Sequence, residues 1–397
     1  MYYPRKIEEQ LKKNLRSRQA IIVTGMRRVG KTTMLRELYR TVSDNKIWFD
    51  FKNPLDIKYF EDIDYNDIYK NIIQKGNLNP LKRIYVFIDE VQIYPEISKI
   101  VKYLIDHYSV KFILTGSASY YLKNLFPESL SGRKIIFEMY PLDFEEFLVF
   151  KKENMERYRK IKNKKNITEL EYKLYDIHYR EFIEWGGFPE VVLANDKNAK
   201  QQRLEDIFAS YYQQEVINLA DYRKGHKVRD LIMLLATRVG SQLDLIKLSQ
   251  ELQVQRTTIY SYLAFLQDTY FIHLISKLSK SIDREVSGMQ KIYFCDNGIL
   301  KTMARVSDGQ LLENAVYNQL KTRGRVNYFR KKSGAEIDFI LDKKTAYEVK
   351  RTASPIDIHK LGKTRLLAKL NQGFVVSQEY VKYVKAVNGG IVLGHFL

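Results

Sequence analysis

Only one cysteine, Cys295, and six histidines occur among the 397 residues. A single thiol excludes an internal disulfide framework and points to a reducing, cytoplasmic compartment. Cys295 ends an apolar run, where a thiol is more at home buried than reactive. The histidines are scattered and show no zinc-ligand spacing. No stretch of 18 apolar residues exists, so neither a membrane-spanning helix nor a membrane partner is expected. The opening residues Met1 to Lys6 lack the apolar run of a secretory signal. There is no internal repeat and no low-complexity tail. Acidic residues are in deficit: 47 Asp and Glu face 66 Lys and Arg, a net charge of +19. Such a surplus favours polyanionic partners, namely nucleic acid, anionic lipid or nucleotide, although solubility alone also accounts for it. The surplus is denser toward the C-terminus, where residues 236–397 hold 25 basic against 14 acidic side chains. The 45% hydrophobic content is enough to bury a sizeable core.

Ile7, Leu11 and Leu15 recur four apart and predict an amphipathic helix over 5–16. Apolar runs at Ala20–Thr24, Lys46–Phe51, Arg83–Ile88, Lys111–Thr115 and Lys134–Phe137 predict strands, with helical stretches between most of them. Strands alternating with helices predict an α/β fold built on a parallel sheet covered on both faces. The run 151–166 holds eight basic and two acidic residues. It predicts a boundary or an exposed insertion, more simply a solvated loop than a contact surface. Residues 168–235 then look helical and rich in tyrosine, broken by a tight turn at Trp185-Gly186-Gly187-Phe188-Pro189. The resulting division is 1–150, 151–235, 236–305 and 306–397.

Gly25-Met26-Arg27-Arg28-Val29-Gly30-Lys31-Thr32 fits G-x-x-x-x-G-K-[ST] between an apolar strand and a helix, as a P-loop requires. Glycines let backbone N–H groups turn inward on phosphates, and the helix N-terminus adds about half a positive charge. Lys31 would reach the β- and γ-phosphates of ATP, and the Thr32 hydroxyl would sit on Mg²⁺. Gly25, Arg28, Gly30, Lys31, Thr32 and Thr33 are the nucleotide-binding candidates of this segment. Downstream, an apolar strand delivers Asp89 and Glu90. Asp89 can hold the magnesium through water and Glu90 can polarise the attacking water, while a helix-capping aspartate is the plain alternative. Thr115 and Ser117 end the next strand. Their hydroxyls either sense the γ-phosphate or cap the following helix. Arg133, after Ser131 and Gly132, either steadies transition-state charge in its own or a neighbouring subunit or is an ordinary surface arginine.

These segments, with Tyr140-Pro141-Leu142-Asp143-Phe144-Glu145-Glu146-Phe147 and Trp185–Glu190, resemble the archaeal and bacterial AAA+ (STAND-related) ATPases over essentially the whole chain. The resemblance implies an AAA-type core, a helical lid, a winged helix and a nuclease-like domain. Many AAA+ proteins carry Asn at the sensor position where this chain offers Thr115 or Ser117, which puts a standard ring mechanism in doubt.

Residues 244–252 predict a first helix with Leu245, Leu248 and Leu252 on one face, turning at Gln253-Val254 into a second helix over 255–268. Ile259, Leu263 and Leu266 point inward there, and Arg256, Thr257, Tyr260 and Ser261 lie on or near the other side. Phe271–Ile275 would be a wing strand. Such a unit either presents its second helix to a DNA groove or serves as a protein–protein spacer.

Glu313 lies on an amphipathic helix, Asp338 on an apolar strand, and Glu348 and Lys350 on the next. Alternation puts Glu348 and Lys350 on one strand face, where Asp338 can join them. Carboxylates so grouped suit Mg²⁺ or Mn²⁺, which would activate water toward a phosphodiester, with Lys350 steadying developing charge. The pattern resembles the PD-(D/E)XK nucleases, with Ile337 where a proline usually precedes the Asp. A solvated hairpin, or the same fold without activity, is the alternative. The chain is thus expected to be an Mg-ATP hydrolase acting on DNA, with a metal-dependent nuclease site. Its rivals are a nucleotide-gated switch or scaffold for protein partners and a nucleic-acid binder that does not cut. Assembly with further copies of the chain stays open.

Overall fold

The apolar runs of the first 140 residues become five parallel strands in the computed structural model: β1 (Ala20–Thr24), β2 (Lys46–Asp50), β3 (Ile84–Asp89), β4 (Val110–Gly116) and β5 (Lys134–Glu138). They lie in the order β2-β3-β4-β1-β5. Every residue of β1 and β4 is buried. A strand covered on both faces has no solvent side to alternate with, hence its unbroken hydrophobicity. The structure describes residues 2–397 except 117–131, 165, 218–224, 280, 282–284, 286–287, 332, 383–384 and 387–388, and only the backbone of 385–386.

Helices α1 (Ile7–Asn14), α2 (Lys31–Thr41), α3 (Pro54–Ile57), α4 (Tyr65–Gly76) and α5 (Ile97–His107) belong to the same unit. Helix α5 buries Ile97, Ile100, Val101, Leu104 and Ile105, a stripe at 3-1-3-1 spacing that covers the sheet. Asp64 caps α4 by accepting the Asn66 N–H, and left-handed Asn77 ends it. Phe49, Phe51 and Phe60 anchor the core, with the Phe60 ring 4.8 Å from Phe49 and 5.3 Å from Phe51. Lys111 lies on β4 with no exposed surface. Its ammonium donates to Asn14 O at 2.8 Å, to Ser17 O at 3.2 Å, to Ser17 Oγ at 2.9 Å and to Gln19 O. Burial, then Arg83, pulls the Lys111 pKa down to about 7, and a buried amine in either form needs such acceptors, which here close the end of α1 onto the sheet.

The chain forms two compact units, one of residues 1–140 with 268–270 and one of 141–267 with 271–397. In the second, most described residues of the run 151–166 are exposed, as an insertion would be, but the solvated loop expected there is corrected. Residues Met155–Lys162 form a helix capped by Asn154, and its Tyr158 and Ile161 are buried three apart. Lys162 reaches Glu145 at 2.8 Å and Lys164 pairs with Glu171. The basic side chains of the run hide a narrow apolar stripe that anchors the segment. The turn expected at 185–189 is present. Gly186 ends the helix Glu169–Trp185 at φ +76°, where a Cβ would lie 2.1 Å from an Asp296 oxygen. Asp296 accepts N–H bonds from Gly187 at 2.6 Å, Gly298 at 2.8 Å and Ile299 at 3.2 Å. Cys295 beside it is buried, and burial raises its thiol pKa, so it stays a protonated core side chain.

Asp244 caps helix Leu245–Leu252, which turns at left-handed Gln253 into helix Arg256–Asp268. Ile259, Leu263 and Leu266 are buried, while Arg256, Thr257, Tyr260 and Ser261 are exposed. Strand β6 (Ile272–Ser276) pairs antiparallel with β7 (Gln290–Phe294). Leu245 is the exception among the expected core positions, being only partly buried. The chain ends in a mixed sheet, β12-β13-β11-β10-β9-β8, of β8 (Val326–Arg330), β9 (Glu336–Leu341), β10 (Thr345–Lys350), β11 (Gln372–Ser377), β12 (Lys385–Ala386) and β13 (Gly389–Leu393). Strands β8, β9 and β10 pair antiparallel. Helix Pro355–Leu367 then allows β10 and β11 to run parallel.

Replacing Lys111 by Met keeps the bulk and removes the ammonium. Chemical denaturation should show a loss of roughly 1–3 kcal/mol, because the carbonyls of Asn14, Ser17 and Gln19 lose their donor.

Candidate functional site

All five strands of the first sheet run the same way, so the segments after β1, β3 and β4 emerge at one edge. The loop after β1 is held by its backbone. Gly25 has φ +147°, and a Cβ there would meet Met139 O at 2.1 Å. Arg28 and Gly30 take φ +64° and +97°. Glycine meets that demand at no steric cost, whereas Arg28 holds a conformation unusual for its type. Met26 and Val29 are buried, and Arg28 is exposed.

Lys31 opens α2 and is 9% exposed; its Nζ donates to Gly25 O at 2.7 Å and Met26 O at 2.9 Å. Thr32 Oγ1 donates to Asp89 Oδ2 at 2.8 Å. Thr115 donates to the other Asp89 oxygen and accepts the Glu90 N–H at 3.3 Å. Asp89 is 4% exposed, a buried carboxylate whose two oxygens are each bound by a hydroxyl. Glu90 sits just past β3 at φ +57°, paired with Lys52 at 2.9 Å and bonded by the Gln92 amide. Burial pushes the Glu90 carboxyl up, but Lys52, Gln92 and Arg27 together hold it below the ordinary value, so it stays ionised.

The structure therefore brings Gly25, Arg28, Gly30, Lys31, Thr32, Asp89, Glu90 and Thr115 to one edge. Thr33 lies in the first turn of α2 with its side chain exposed. Thr115 faces Asp89 and Glu90, while the segment it would alternatively cap lies outside the described residues. Ser117 and Ser131 lie outside the described residues. Arg133 is corrected for a role in its own subunit. It immediately precedes Lys134, which pairs with Ala20 at the start of β1, so it stands at the opposite edge of the sheet. The length of β1 alone separates the two edges by about 13 Å. There Arg133 pairs with Asp106 at 2.7 Å.

Three contributors carry no sequence signal. Arg5 is buried and donates to Val29 O and Tyr140 O, both at 2.8 Å. It fastens outward-turned loop carbonyls to the end of the sheet. Lys52 and Gln92 restrain Glu90. Single polar side chains outside the regular helices and strands have no periodicity by which to be found.

The second constellation lies in the C-terminal sheet and its neighbours. Glu313 comes from helix Asp308–Leu320, Glu336 and Asp338 from β9, and Glu348 and Lys350 from β10. Asp338 accepts the Val349 N–H at 2.9 Å, Tyr293 donates to Glu313 at 2.7 Å, and Lys350 donates to Glu348 at 2.9 Å. Burial, then the neighbouring Asp338, lifts Glu313 and Glu348 each to about 7, and burial also raises Asp338. The grouping of Asp338, Glu348 and Lys350 across paired strands is as the alternation implies.

The expected metal set of Glu313, Asp338 and Glu348 is not in metal-holding geometry as it stands, with a lysine among the acids. Among the described residues, no group of three or more His, Cys, Asp or Glu side chains is arranged to hold a metal ion. The cation among these carboxylates is Lys291, 3% exposed on β7. Its Nζ lies 2.8 Å from Glu336, 3.7 Å from Glu313 and 3.9 Å from Asp338. Burial pulls its pKa down, but Glu313, Asp338 and Glu336 outweigh that and keep it charged. The only sequence hint was a lysine inside the apolar strand Gln290–Phe294.

No helix among the described residues is long and apolar enough to cross a membrane. Residues 17–148 match a family model described as an AAA domain. Residues 176–310 and 308–392 match two domains of unknown function, DUF8612 and DUF4143. An uncharacterised protein of Methanocaldococcus jannaschii is 28% identical over 332 residues, covering 81% of this chain and 71% of its own. One of Haemophilus influenzae is 28% identical over 337 residues, covering 81% and 79%. Among solved structures, the Walker-type ATPase of Pyrococcus abyssi is similar with a TM-score of 0.52 at 15% identity, over 76% of this chain and 96% of that one. That last likeness is one of fold. Motif geometry and sheet topology agree that the first unit has the P-loop ATPase fold, and residues 17–148 are similar to the AAA domain.

Proposed function

We propose that this chain binds and hydrolyses Mg-ATP at the edge formed by Gly25–Thr33, Asp89, Glu90 and Thr115, and that it works on DNA. The observation that carries the reading is the 2.8 Å hydrogen bond from Thr32 to Asp89, which unites the loop with the acidic end of β3. The donor set fits the ion: a hydroxyl and a carboxylate are the hard oxygen ligands magnesium takes, directly or through water. Mg²⁺ held there would neutralise charge on the β- and γ-phosphates. The chain's own groups supply the rest. Backbone N–H groups between Gly25 and Lys31, with the N-terminus of α2, bind phosphate oxygens. Lys31, now satisfied by Gly25 O and Met26 O, would exchange those carbonyls for phosphate. Glu90, kept ionised, orients the attacking water. Phosphoryl transfer asks for positioning more than for a strong base, so a lowered pKa suits the role. Thr115 holds Asp89 and Glu90 in register with the loop.

Support for DNA as partner is the net charge of +19 and the exposed face Arg256, Thr257, Tyr260 and Ser261 on the second helix of a winged-helix-like unit. Association with further copies of the chain is compatible with this reading. Lys291 favours one element of a second reading, in which the nuclease-like domain has no turnover of its own and nucleotide-driven movement is directed at a protein partner.

Lys31→Ala should abolish both saturable binding of labelled ATP and phosphate release. Glu90→Gln should keep binding and slow turnover at least about 100-fold. Normal hydrolysis by Lys31→Ala would refute the assignment of the site. In gel shifts across a salt series, wild type should lose affinity steadily as salt rises, and Arg256→Ala should lower the salt slope by about 1. No DNA retention at low salt would remove that partner.

A further inference from the structure

We infer that Lys291 is a built-in cation standing in for the divalent metal at the C-terminal carboxylate cluster, so that this domain takes no Mg²⁺ or Mn²⁺ until the lysine is removed. Four carboxylates, Glu313, Glu336, Asp338 and Glu348, converge from one helix and two strands, and each belongs to a different turn or strand position fixed by backbone pairing. Carboxylates brought together out of water repel and need positive charge nearby. A divalent ion is one source of that charge. In this chain β7 provides another, because Lys291 is aimed from a buried strand position into the group and meets three of the four acids within 3.9 Å.

Position makes this more than an ordinary ion pair. Lys291 is 3% exposed, so its ammonium is held away from water among the acids. Tyr328 lines the approach, its ring centre 5.5 Å from the ammonium. The second lysine of the group, Lys350, is committed to Glu348 at 2.9 Å and is half-exposed. One buried ammonium therefore holds Glu313, Glu336 and Asp338 together at N···O distances of a lysine salt bridge. An ammonium in that place excludes a divalent ion by both volume and like charge, since a metal needs its oxygens at roughly 2.0–2.6 Å. Glu348 Oε2 is buried without a hydrogen-bond partner, as an oxygen left over when a lysine, with fewer bonds to offer than a metal, organises the site.

The inference does not depend on the nucleotide reading and is tested without nucleotide. Full-length wild type, Lys291→Ala and Lys291→Ala with Asp338→Asn are titrated with MnCl₂, following free Mn²⁺ by its electron spin resonance and thermal unfolding in parallel. Lys291→Ala should bind one Mn²⁺ at least about tenfold more tightly than wild type and melt higher with it. Adding Asp338→Asn should abolish both effects. Wild type that binds Mn²⁺ tightly, with binding lost in Asp338→Asn alone, would overturn the inference. So would a folded Lys291→Ala that gains no site. If Lys291→Ala does not fold without metal, Lys291→Gln, which keeps most of the volume, is put through the same titration with the same two outcomes.

Discussion

Asp89 is the point on which the N-terminal unit turns. Its carboxylate is buried at the end of β3, and each oxygen is held by a hydroxyl, Thr32 from the start of α2 and Thr115 from β4. A lone carboxylate at that depth would cost several kcal/mol; two short charge-assisted bonds offset it and join three chain segments that share no sequence proximity. The parallel sheet makes the meeting possible. Strands that all point one way deliver their C-terminal ends to one edge, where the loop after β1 and the acidic end of β3 are neighbours of β4.

The loop obeys the same rule of satisfaction. A chain that turns its N–H groups inward must turn carbonyls outward, and these too need donors. Arg5 meets Val29 O and Tyr140 O, and Lys31 meets Gly25 O and Met26 O. The first set is scaffolding, supplied by a residue that lies outside the motif. The second is provisional, because a phosphate is a better partner for an ammonium than a carbonyl.

The C-terminal cluster shows the same physics with another outcome. Four acids drawn together by a helix and two strands need positive charge, and a lysine from β7 supplies it. The spacing of Asp338, Glu348 and Lys350 was enough to place them on one face, since strand alternation is a local property. Nothing local said that β7, some forty-five residues upstream of Asp338, would deliver Lys291 among them. Arg133 failed for the related reason that a residue's place along a strand, start or end, decides which edge of the sheet it reaches. The run 151–166 was read from its charges, yet two buried side chains, Tyr158 and Ile161, fix it as a helix.

What the sequence by itself determined were the features written in adjacent residues: the glycines and lysine of the loop, the unbroken apolar strands of a covered parallel sheet, the glycine turn at 186–187, and the helix pair at 244–268. Each follows from backbone sterics or periodicity, which act over a few residues. Only the tertiary structure decided which distant groups answer each buried charge. Arg5, Lys111, Thr115 on Asp89 and Lys291 among its acids are all of this kind. Desolvation penalises an unpaired charge wherever it lies, but the partner is chosen by how strands and helices pack in space, and that is not encoded at any single spacing along the chain.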